Sequence, residues 1–158
     1  MRSFLHENEK EAHRLVKEVL STCGDYLLVD RIVDESDNSI RAVWTVPVDG
    51  AWFRTDGAGK NLLLPGTVTT EHLVQAGEVL IFRARGGRPE SDGVPVLAKI
   101  RSARFRAMVR PGDCLESELK LTEQVGAAYY VSGKVSVNGK VVLKAELSFT
   151  ATEAVSKI

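Results

Sequence analysis

From Ser39 to Val48 apolar and polar residues alternate. Ile40, Ala42, Trp44, Val46 and Val48 fall on one side, Arg41 and Thr45 on the other, which is the period of a strand with one buried face. The same period runs through Val94 to Val109. There Val94, Val96, Ala98 and Ile100 are followed by Ala103, Phe105, Ala107 and Val109, and the odd step from Ile100 to Ala103 predicts a bulge near Arg101-Ser102. Leu115 to Leu121 alternates again. Ala127 to Val137 and Lys140 to Thr150 flank Asn138-Gly139, a pair that tolerates positive φ at both turn positions and so predicts a two-residue hairpin. Tyr26 to Val33 reads as a short apolar strand, and Arg110-Pro111-Gly112-Asp113 as a turn.

Leu62 to Arg85 has a different period. Val68, Leu73, Ala76, Val79, Leu80 and Ala84 fall at helical spacings, with Pro65-Gly66-Thr67 as a start and Gly86-Gly87 as a stop. This predicts a central helix over about 66–84, with the carboxylate of Glu71 near its first turn and a half. A second helical pattern covers residues 7–21, where Ala12, Leu15, Val16, Val19 and Leu20 make one apolar stripe. Asp49 to Asn61 is irregular and glycine-rich, and it leads into the central helix. The order is helix, two strands, long helix, four strands. It predicts an α+β domain spanning residues 1–158, in which an antiparallel sheet wraps the central helix.

Composition narrows the function classes. The 21 basic residues balance 21 acidic ones, so the chain lacks the basic surplus that an obligate nucleic-acid partner requires. Arg101, Arg104, Arg106 and Arg110 sit in a strand pattern and read as a solvated face. Cys23 and Cys114 lie far apart, outside any metal or redox spacing, and fit thiols in a reducing compartment. Met1 to Lys10 is polar and acidic, and no apolar run approaches the roughly twenty residues of a membrane span. A cytoplasmic protein with no cofactor and no metal is expected.

Three motifs in order resemble the hotdog-fold 3-hydroxyacyl-[acyl-carrier-protein] dehydratases, over about Asp25 to Ala151. Tyr26-Leu27-Leu28-Val29-Asp30-Arg31-Ile32 is similar to the family's first-strand pattern. Leu64-Pro65-Gly66, then Glu71, then Gln75-Ala76, is similar to its helix start, helix acid and Ala-Gln-Ala segment. Val109-Arg110-Pro111-Gly112-Asp113-Cys114-Leu115 is similar to its Val-x-Pro-Gly-Asp-x-Leu turn. The resemblance implies a hotdog fold, in which a long apolar helix is wrapped by the sheet. It implies a homodimer or higher assembly joined edge to edge, with the active site between subunits. It also implies an acyl thioester substrate on carrier protein or coenzyme A, in fatty-acid or polyketide-type biosynthesis.

One stretch departs from the family. Where the dehydratases carry His-Phe-Pro-Gly, this chain has Asp56-Gly57-Ala58-Gly59, with one extra residue before Pro65-Gly66. Dehydration needs a base for the Cα proton, an acid for the departing hydroxyl and donors for the thioester oxygen. Glu71 fits the acid. Asp56 stands in the place of the missing base, or is a turn-former beside Gly57. Gly59, Pro65, Gly66 and Gln75 are the expected substrate-binding positions. His72 points about 100° away from Glu71 and reads as a structural or surface histidine. Two other functions remain open: a thioesterase using Glu71, and a non-catalytic acyl-binding or partner subunit.

Overall fold

The computed structural model describes residues 14, 16–20, 24, 26–86 and 94–152. Most of the predicted N-terminal helix, the glycine-rich stretch after Gly86 and the tail beyond Thr152 lie outside these residues. A helical turn at residues 16–19 carries Val16, which is buried together with Leu20.

Among the described residues eight strands accompany the central helix: β1 (Arg31–Glu35), β2 (Ser39–Thr45), β3 (Arg54–Thr55), β4 (Asn61–Leu63), then the central helix (Gly66–Ala84), β5 (Val94–Phe105), β6 (Cys114–Val125), β7 (Ala128–Val137) and β8 (Lys140–Thr152). Six of them form one antiparallel sheet in the order β1-β2-β6-β7-β8-β5, and β3 pairs with β4 in a small separate ladder. The sheet lays alternate residues on the helix. Ile40, Ala42 and Trp44 from β2, Leu115 and Leu119 from β6, Val131 and Val135 from β7, and Leu143, Leu147 and Phe149 from β8 are all buried. This is the α+β hotdog arrangement expected from the sequence.

Turn chemistry fixes the pairing. Asn138 (φ 49°) and Gly139 (φ 77°) form the two-residue turn between β7 and β8, with Val137 opposite Lys140. The β5–β8 ladder slips between Ile100 and Ser102, where the period broke, and slips a second time between Leu97 and Lys99.

Several boundaries differ from the expected ones: β5 ends at Phe105, short of Val109, and β6 runs on past Leu121 to Val125. Tyr26 to Asp30 is not a strand, and β1 begins only at Arg31. The reason is that both backbone groups of Leu28 are already bonded to side chains of the central helix, so this segment crosses the helix instead of joining the sheet. β2 stops at Thr45, where Asp30 Oδ2 accepts the Thr45 amide at 2.7 Å, and Val48 beyond it is exposed. The irregular stretch before the helix contains the β3–β4 ladder, too short to show a period.

The helix is buried over most of its length; Thr67, Arg83 and Ala84 are exposed, Ala84 against its place in the expected apolar stripe. Its close approach to the sheet depends on small residues. A Cβ at Gly77 would lie 2.5 Å from the ring tip of Phe149, which is fully buried and has no space to move. Gly77→Ala is therefore expected to destabilise the protein. Overpacking costs ~1–3 kcal/mol, against about 1 kcal/mol of helix propensity regained. A lower urea midpoint at unchanged slope would show it; an unchanged or higher midpoint would refute the close packing.

Candidate active site

The helix begins under constraint from both sides. Leu64 donates its amide to Val109 O at 2.8 Å, and Pro65 (φ −57°, ψ 141°) turns the chain into the first helical residue, Gly66. The Pro65 carbonyl accepts the amides of Val68 (3.0 Å) and Thr69 (3.3 Å). Gly66 lies against the Phe105 ring, 2.7 Å from where a Cβ would stand. Phe105 also borders a cavity of about 340 Å³ between the helix start and the Ala107–Val109 segment. Leu62, Phe105 and Met108 leave apolar surface exposed around it.

Glu71 stands a turn and a half into the helix, half-buried. Burial raises its carboxyl above the ordinary carboxylate value, and a hydrogen bond from Gln75 opposes that rise. Gln75 is fully buried and holds three partners. Its Nε2 donates to Glu71 Oε1 at 3.2 Å and to the Tyr26 carbonyl at 2.8 Å, while its Oε1 accepts the Leu28 amide at 2.8 Å. A single amide thus orients the acid and ties the Tyr26–Leu28 segment to the helix. The Tyr26 phenol is raised above its usual value, first by burial and then by the Glu71 charge. Its ring meets Trp52 edge-on at 5.7 Å.

His72 points elsewhere. It is fully buried against Trp44, ring centroids 6.0 Å apart, with Nδ1 2.6 Å from the Leu28 carbonyl. Burial pushes its pKa down to about 4, so at neutral pH the ring is uncharged and Nδ1 carries the proton given to Leu28. Nε2 is buried and has no hydrogen-bond partner among the described residues. The surface alternative for His72 is thereby corrected: this is a core histidine that, with Gln75, clamps Leu28.

The pre-helix loop is a tight turn. Asp56 Oδ1 accepts the amides of Ala58 (2.9 Å) and Lys60 (2.8 Å), and Gly59 (φ 81°) donates its own amide to the Asp56 carbonyl at 3.0 Å. The Gly59 amide is consumed in the turn, so it cannot serve as the thioester-oxygen donor expected of that position. Among the described residues Asp56 makes no hydrogen bond to Glu71, and its side-chain bonds are both to Oδ1. Among the expected site residues, Glu71 and Gln75 come together. Pro65 and Gly66 form the helix start, and Asp56 and Gly59 sit apart in the β3–β4 turn.

Two neighbours of Glu71 escaped the sequence reading. Tyr26 is the first residue of the first-strand motif but has no site role in that reading, and its place in the motif is the available signal. Glu78 recurs seven residues after Glu71, on the same helical face. Among the described residues no group of His, Cys, Asp and Glu is arranged to hold a metal, and no helix is long and apolar enough to cross a membrane.

With this geometry in view, comparison with known proteins is specific. A family model of the FabA-like domain matches residues 22–146. The 3-hydroxyacyl-[acyl-carrier-protein] dehydratase FabZ of Thiobacillus denitrificans is 32% identical over 126 residues, covering 79% of this chain and 86% of that protein. The FabZ of Nitratiruptor sp. is 33% identical over 136 residues, covering 84% and 91%. A chain of the dehydratase heterocomplex ApeI:P from Xenorhabdus doucetiae shares the fold, with a TM-score of 0.66 at 22% identity over 80% of this chain and 84% of that one. On the match to the family model and on the identity and coverage of these relatives, the chain belongs to the FabA-like, FabZ-related dehydratase family of hotdog proteins.

Proposed function

We propose that this protein dehydrates 3-hydroxyacyl thioesters carried on acyl carrier protein, with Glu71 as a proton-transfer group. One observation carries the reading. The family's helix acid is kept as Glu71, half-buried, with its carboxyl raised and its orientation set by the buried Gln75. A carboxyl so held suits proton transfer at a substrate carbon or hydroxyl. Pro65 has no N–H and its carbonyl takes the Val68 and Thr69 amides, so the donors for the thioester oxygen at the helix start are the Gly66 and Thr67 amides. In the proposal a second copy joins along β5, a 12-residue edge strand with Ile100 and Phe105 exposed. The Asp56–Gly59 turn of that copy closes the site.

The products decide between reactions. Purified protein given 3-hydroxyacyl and saturated acyl thioesters, on carrier protein and on coenzyme A, is expected to generate enoyl absorbance from the first and no free thiol from the second. Thiol release from the saturated substrate would replace the reading by a thioesterase. Binding without either product would leave an acyl-binding subunit.

A further inference from the structure

The helix face that carries Glu71 and Gln75 continues to a third polar residue. Glu78 follows Glu71 by seven positions, which at 3.6 residues per turn returns it to within about 20° of the same direction, about 10 Å further along the axis. Gln75 lies between the two and is held by three hydrogen bonds, so this face is rigid. Glu78 is half-buried, and among the described residues its carboxyl has neither a hydrogen bond nor an ion pair. An unpartnered carboxylate so placed is unfavourable in a purely structural role. Burial first, and the Glu71 charge second, push its pKa up to about 8. The titratable groups that bear on the pair among the described residues are Glu71, Glu78 and the Tyr26 phenol.

We propose that Glu78 is the proton donor of the dehydration, acting with Glu71 as the base from one face of one helix, a role that rests on the dehydratase reading above. It supplies the second group that the pre-helix turn, lacking histidine, does not. In the step, ionised Glu71 takes the Cα proton, and the C–H electron pair becomes the Cα–Cβ double bond. The Cβ–O bond breaks, and the hydroxyl leaves as water with the proton of Glu78. Glu71 ends protonated and Glu78 ionised, and returning one proton from Glu71 to Glu78 restores the starting state without any other reactant.

The test measures enoyl formation from 3-hydroxyoctanoyl-N-acetylcysteamine across pH 5–9, with wild type, Glu78→Gln, Glu78→Asp and Glu71→Gln, alongside thermal melts. Glu78→Gln is expected to lower kcat about 10²-fold or more with KM within about threefold. It should also abolish the fall in rate near pH 8 while leaving the acid limb in place, because Glu78 is already protonated and uncharged where Glu71 titrates. Glu78→Asp should retain part of the rate. The melts supply a structural control. A carboxyl raised in the fold stabilises below its ordinary pKa and loses that contribution as pH rises through about 8, so wild-type stability should decline over pH 4.5–8 and Glu78→Gln should flatten the decline. A Glu78→Gln protein with wild-type kcat and an unchanged pH profile overturns the assignment while the dehydratase reading stands, provided Glu71→Gln is inactive. Wild-type protein that makes no enoyl product overturns both.

Discussion

Glu71→Gln is expected to lower enoyl formation by about 10²- to 10⁴-fold, with KM nearly unchanged and no loss of stability. Glutamine keeps the length and shape of the side chain and still accepts the Nε2 hydrogen bond of Gln75, so the Tyr26–Leu28 segment remains in place. What it loses is the carboxylate that takes up the proton. Stability should hold because a carboxyl raised by burial favours the fold only below the ordinary glutamate pKa, and that contribution disappears as pH rises through the folded value. At neutral pH the charged form opposes burial, and a neutral amide removes the opposition. Two further shifts accompany the change. Glu78 loses a negative neighbour and so titrates lower, and the Tyr26 phenol falls toward its usual value while burial still holds it above. Steady-state rates with carbon-13 titration of Glu78 measure both effects. Activity within about threefold of wild type would remove Glu71 from the chemistry.

Much of the architecture was legible because it repeats. Ile40, Ala42 and Trp44 alternate over a single buried face, and Asn138-Gly139 states its turn type in two letters. The helix acid was legible through order and spacing, Pro65-Gly66 to Glu71 to Gln75. Features that depend on a contact distant in sequence were not. Nothing near His72 says that it is buried, because its partner is a carbonyl 44 residues earlier. The same contact, with the Leu28 amide on Gln75, turns an apolar run that reads as a strand into a segment crossing the helix. Asp56 was ambiguous for another reason. A carboxylate before a glycine serves equally as a base or a turn, and the turn shows itself only once Ala58 and Lys60 donate to Oδ1. Glu78 lay within plain helical arithmetic but had no motif to mark it.

Gln75→Leu should show how far fold and site share one support. Leucine fills a similar volume but makes none of the three hydrogen bonds, leaving the Leu28 amide unpaired in the core and the Tyr26 carbonyl without its donor. At ~1–3 kcal/mol for each stranded polar group, the expected loss is about 3–5 kcal/mol. That is a large share of the ~5–15 kcal/mol by which a domain this size is usually stable. The second consequence is chemical. The Gln75 hydrogen bond is the influence that lowers the Glu71 pKa, so its removal leaves burial unopposed and moves the acid limb of the rate profile to higher pH. Gln75→Glu separates the two effects. Ionised, it still accepts from Leu28 but has no proton for the Tyr26 carbonyl and repels Glu71 from a fully buried position, so stability stays as low as in the leucine variant or lower while the pH profile shifts further. Urea denaturation and pH–rate profiles of both variants test this. A Gln75→Leu protein within about 1 kcal/mol of wild type would mean that the Tyr26–Leu28 segment is held by the core packing of Leu28 and by His72 rather than by the amide. Glu71 would then owe its position to burial alone.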